Sequence, residues 1–69
     1  MQEIISARQA AKVLGCMPQK VRVRMQSGHW KIGEVIERKG QPNAYDIHVH
    51  KLSSFFGISL EEIERRLNA

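Results

Sequence analysis

The chain has 69 residues, a net charge of +4 and a single cysteine, Cys16. That length allows one domain over residues 1–69 with a modest core, and a lone thiol excludes a disulfide framework. No apolar run is long enough for a bilayer and no secretory signal is visible, which points to a reducing, cytoplasmic setting.

The first predicted element is a helix over residues 6–14. Ser6 is a good N-cap, and Gln9 three residues on completes a capping box. Ala7, Ala10, Ala11 and Leu14 recur at helical spacing, and Gly15 suits the left-handed position that stops a helix. Residues 18–27 admit two readings. Lys20 to Met25 alternate with period two, as a strand does. Pro18 at a first helical position, Gly28 just past the end, and Val21 and Met25 four apart favour a helix, with Met17 as a poor cap.

Residues 31–38 and 44–49 read as a β-hairpin joined by Lys39-Gly40-Gln41-Pro42-Asn43, whose turn formers do not suit a strand interior. Tyr45, Ile47 and Val49 alternate with Asp46, His48 and His50, so one face is buried and the other wet. A short helix over 51–56 follows, ended by Gly57, with Leu52, Phe55 and Phe56 reaching the core. Ser59 starts a last helix, about 59–67. Glu62 completes a second capping box, Ile58 and Ile63 are placed as a hydrophobic staple, and Leu60, Ile63 and Leu67 form a stripe. The whole is α+β, helices against one small antiparallel sheet.

Charge is unevenly distributed along this order. Between Glu3 and Glu34 there is no acid, while Arg8, Lys12, Lys20, Arg22, Arg24 and Lys31 fall there. Charges over 34–58 cancel, and the ends are slightly acidic. A one-signed half of a small domain suits a polyanion partner. The same interval holds two helices joined by Gly15-Cys16-Met17, a link that allows only a tight corner, as in a helix-turn-helix. The second helix of such a unit enters the major groove.

The run Ser6-x3-Ala10-Ala11-x2-Leu14-Gly15-x5-Val21-Arg22-x2-Met25-x2-Gly28 resembles MerR-like and phage excisionase-like winged helix-turn-helix domains. The hairpin and the segment Lys51-Leu52-x2-Phe55-Phe56 fit as well, so the resemblance spans roughly residues 4–58. It departs from the usual pattern at Met17, where Ser or Thr precedes the proline, and at Val23, where a polar or aromatic residue is usual. The resemblance implies a recognition helix in the major groove, a hairpin wing against the adjacent backbone or minor groove, and a role in transcription or site-specific recombination. No long effector-binding or coiled-coil tail is present, so sensing through an appended domain is not expected.

On a helical wheel Val21 and Met25 define the core face and Val23 lies opposite, surrounded by Gln19, Lys20, Arg22, Gln26 and Ser27. Gln19 and Arg22 can pair with adenine and guanine edges and Val23 can cover a thymine methyl. Arg24, placed nearer the core edge, suits a phosphate or an intramolecular partner. Arg38, Lys39, Gln41 and Asn43 are the wing candidates, and Arg8 is a backbone contact.

The expected partner is double-stranded DNA, with a nucleoid-associated location and with self-association or cooperative binding on DNA; the last helix is the candidate contact, unless its stripe simply packs on its own domain, which a chain so short of core favours slightly. No membrane and no small-molecule substrate are expected. Asp46, His48 and His50 with Cys16 or His29 match no closed metal pattern, and Cys16 suits a buried corner. There is no Ser/His/Asp set, phosphate-cradling loop or acid pair, so no enzyme activity, metal or cofactor is expected. Trp30 is placed to anchor the hairpin to the helices. Two rival functions remain. One is a small β-barrel-like RNA- or peptide-binding module, if residues 20–25 are a strand. The other is a protein adaptor that kept the fold without binding DNA.

Overall fold

A computed structural model describes residues 2–69; Met1 of the expected span lies outside the described residues. The elements are β1 (Ile4–Ile5), α1 (Ala7–Leu14), α2 (Pro18–Gln26), β2 (Gly33–Arg38), β3 (Gln41–His48), α3 (Val49–Phe56) and α4 (Leu60–Leu67). Among the described residues the fold is α+β: four helices and one three-stranded antiparallel sheet in the order β1-β3-β2.

Helix α1 starts where its capping signal lies. Ser6 Oγ accepts from the Gln9 amide at 3.1 Å, and Gln9 Oε1 accepts from the Ser6 amide at 3.0 Å. Gly15 ends the helix at φ +70, its amide donating to the Ala11 carbonyl. The stripe of Ala7, Ala10 and Ala11 is buried, but Val13 and not Leu14 completes it. The reason is α4, which packs on the Val13 flank, while Leu14 sits at the end, where the chain turns away.

Residues 18–26 are helical, which overturns the strand reading of 20–25 and the barrel built on it. Pro18 has no amide hydrogen to lose in the first turn. Burial of Val21 and Met25 holds the helix down, and the intervening Val23 stands 48% exposed on the opposite side. The period-two alternation therefore has no structural counterpart.

The turn is shorter than expected and the strands are shifted: β2 starts at Gly33 rather than at residue 31, and β3 spans Gln41–His48 rather than residues 44–49. Lys39 and Gly40 make the turn, with Gly40 at φ +73, and Gln41, Pro42 and Asn43 belong to β3. Pairing runs Gly33↔Ile47 to Ile36↔Ala44 and resumes at Arg38↔Gln41, so β3 advances three residues for two of β2. Pro42 is tolerated because it falls in this bulge, where the ladder is already interrupted. β3 is also an edge there, because β1 reaches only Ile47 and His48. β1 itself had no sequence signal: two isoleucines are too short for a period.

β3 stops at His48, and α3 begins at Val49, two residues before the expected start. His50 is thus helical, and the expectation that His48 and His50 share a strand face is corrected. Leu52 is buried and Phe56 packs on the core, whereas Phe55 is 47% exposed rather than inside. Trp30 is half-buried and meets Phe56 edge-on at 5.1 Å, so it ties the lead into β2 to α3.

Helix α4 is capped by Ser59 Oγ, which accepts from the Glu62 amide at 3.1 Å. The second capping box is not completed, because the Glu62 carboxylate faces forward to Arg65 and Arg66 instead. Ile63 is fully buried, and Ile58, Leu60 and Leu67 pack against the same core. That core is wholly apolar among the described residues and joins Ile5, α1, Val21, Met25, Ile32, Ile47, Val49, Leu52 and Ile63.

Candidate nucleic-acid interface

Helix α2 keeps only Val21 and Met25 for the core, which leaves most of its circumference to solvent. Gln19, Lys20, Val23, Arg24 and Gln26 are all exposed. Gln19, Val23 and Gln26 recur at i, i+4 and i+7 and form one ridge. Lys20 and Arg24 recur at i, i+4 and flank it. Arg22 is half-buried and Arg24 is exposed, the reverse of the expected order. The wheel explains this once the core axis is placed between Val21 and Met25. Both arginines then lie about 80° from it, on opposite sides, and neighbouring packing decides which is covered.

The start of α2 is electropositive. Met17 gives no side-chain cap, Pro18 follows, and no acid occupies the first turn. Lys20 places a cation there, against the helix dipole, where an anion would be favoured by roughly 0.3–1 kcal/mol. Met17 is itself 74% exposed beside this end. It was not among the expected site residues, although an apolar residue at a capping position before proline is a readable anomaly. Past the end of α2, Ser27 Oγ donates to the Arg24 carbonyl at 3.1 Å and lies 2.6 Å from His29 Nδ1, which tightens the exit toward Trp30.

The other expected contacts stand on separate elements. Hairpin residues 36–42 are all exposed, so the distal half of the ribbon is free of the body. Arg38 donates from Nε and Nη2 to the Pro42 carbonyl at 3.3 and 3.1 Å, holding the bulge. It is therefore partly engaged. Lys39 and Gln41 at the turn are exposed, and Asn43 is half-buried. Arg8 is exposed on α1. No hydrogen bond or ion pair among the described residues joins the α2 set, the hairpin tip and Arg8 to one another.

Ion pairing sorts the cations. Among the described residues, Arg65 and Arg66 pair with Glu62, and His48 lies 4.0 Å from Glu34. Arg8, Lys20, Arg22, Arg24, Lys31, Lys39 and Lys51 have no acid within that distance. Lys12 is held by the Leu67 carbonyl at 3.2 Å. Cations without an acid within that distance thus stand on α1, α2, its exit, the hairpin tip and α3, with three of them on α2.

The described residues contain no group of three or more His, Cys, Asp or Glu able to share a metal ion, and no helix long and apolar enough to cross a membrane. Cys16 is half-buried against the core at the α1–α2 corner. The apolar stripe of α4, weighed as a contact between copies or as packing on its own domain, has Ile63 buried and Leu60 and Leu67 half-buried against the core. No protein-family model, curated protein or solved structure matches the chain.

Proposed function

We propose that the chain is a winged helix-turn-helix module that binds duplex DNA sequence-specifically. In this reading α1, the corner Gly15–Met17 and α2 form the helix-turn-helix, α2 lies in the major groove, and the β2–β3 ribbon is the wing on the adjacent backbone or minor groove. The observation that carries it is the outward face of α2: exposed Gln19, Lys20, Val23, Arg24 and Gln26, with no acid on the helix and a cation at its uncapped start. Gln19 and Gln26 supply paired donor and acceptor atoms for adenine edges, Val23 an apolar surface for a thymine methyl, and the cations phosphate contacts.

The module acts by binding and not by catalysis, as a small transcription regulator or an excisionase-like directionality factor, at the nucleoid within the cytoplasm. Selection from random duplex DNA at physiological salt tests this. An enriched motif supports it. Weak binding that ignores both sequence and salt overturns it in favour of a protein adaptor.

A further inference from the structure

Lys31, His50, Lys51, Ser54 and Phe55 line a shallow surface groove of about 530 Å³. Four of them come from α3, where His50 and Ser54, Lys51 and Ser54, and Lys51 and Phe55 are three or four residues apart and share a face. Lys31 closes the groove from the lead into β2. Neither lysine nor His50 has an acidic partner among the described residues. α3 has no acid in its first turn, so Lys51 stands against the dipole there. No acid among the described residues pairs with it or with Lys31.

The groove is not purely electrostatic. Phe55 is 47% exposed at its edge and is held in place by an edge-on contact with Phe56 at 5.0 Å. Phe56 in turn meets Trp30 edge-on at 5.1 Å. A half-exposed phenyl ring beside two lysines offers apolar surface and positive charge together. The phosphate backbone of a duplex satisfies the lysines but leaves the ring uncovered, because its bases are already paired and stacked. An acidic peptide with one large apolar side chain satisfies both.

We infer that this groove is a docking site for an acidic peptide segment of a partner protein, anchored on Phe55 by an apolar residue and held by Lys31 and Lys51. The site is built from α3 and not from α2, so it goes beyond DNA binding and does not depend on it.

The test is a titration of the isotope-labelled full chain, followed by amide chemical shifts. The probe is a short synthetic peptide of Asp and Glu with a central Trp; the control replaces that Trp by Asn. The expected result is saturable shifts at residues 31, 50, 51, 54 and 55, with the control peptide binding about tenfold more weakly. Lys51→Glu should weaken the Trp peptide by a similar factor. It changes only an exposed side chain, so its spectrum reports directly that the fold is kept. Phe55→Ser should remove the difference between the two peptides. Equal binding of both peptides to the unaltered protein, or shifts confined to other residues, overturns the inference. Shifts at these five positions with a scrambled DNA duplex that the Trp peptide fails to displace also overturn it, and assign the groove to phosphates.

Discussion

A Cβ atom on residue 33 would stand 1.9 Å from the Asp46 carbonyl oxygen and 2.8 Å from the Ile47 Cα. Both obstacles are backbone, so neither can swing aside. Gly33 is therefore required by close approach at the first pair of the β2–β3 ladder. Gly33→Ala should destabilise the fold by about 1–3 kcal/mol or more through overpacking, read as a lowered denaturant midpoint, while a change at the exposed Lys39 should leave that midpoint nearly unmoved. The sequence does not announce this glycine, because it precedes an ordinary strand pattern and the contact is long-range. The glycines that end helices were readable because their requirement is local: Gly15 and Gly57 both have φ near +70. The same division separates Val13 from Leu14 and Arg22 from Arg24. A wheel locates the core face, but which flank is covered depends on the element that packs there, and for α1 that element lies fifty residues away.

Helices α1 and α4 complete one another at their C-terminal ends. Arg66 Nη1 donates to the Val13 carbonyl at 2.8 Å, and Lys12 Nζ donates to the Leu67 carbonyl at 3.2 Å. Each cation thus meets a carbonyl of the kind a helix leaves unpaired in its last turn. Arg66 is oriented for this by Glu62, which accepts from its Nε at 2.8 Å and from both donors of Arg65. Hydrogen bonds from Arg65 and then Arg66 hold the Glu62 carboxyl below its ordinary value. A depressed folded value adds stability above the unfolded value and loses it as pH falls through the folded one. Thermal melts should therefore show stability declining on the acid side of the usual carboxylate range, and Glu62→Gln should flatten that decline. A variant with an unchanged acid slope would show that the pair contributes nothing to folding. Ile63→Ala, at a fully buried site on the same helix, should cost about 2–5 kcal/mol, a large share of a small domain's stability. If this variant kept its stability and lost only an association between copies, α4 would be an interface and not part of the core. At this scale the elements with local signals were readable in order and type. The misplaced boundaries were those set by pairing: a bulge let Pro42 into β3, and β1 owes its existence to a place beside Ile47 and His48.

The whole molecule measures 37 by 21 by 20 Å, and its unpaired cations are spread over several elements. Sequence alone located the acid-free half but not the sorting within it, because Lys12 is engaged by the Leu67 carbonyl, far along the chain and on another element. On the proposed function, that sorting leaves two residues that would report different parts of DNA recognition. Gln19 is exposed in the first turn of α2 and carries no charge, so it can affect affinity only through base edges or neutral contacts. Lys39 is exposed at the hairpin turn and carries a charge, so as the tip of a proposed wing it would meet phosphates rather than base edges. On a selected duplex, Gln19→Ala should cost about 1–3 kcal/mol and relax preference at one or two positions, while leaving the salt dependence unaltered. Lys39→Ala should weaken specific and scrambled duplexes alike and lower the salt slope by about one. Titrations of both variants at several salt concentrations separate these outcomes. A Gln19→Ala protein that keeps its ratio of specific to scrambled affinity would mean that α2 does not dock by this face. If neither substitution changes binding, these surfaces do not hold DNA, and the acid-free half of the chain serves a protein partner instead.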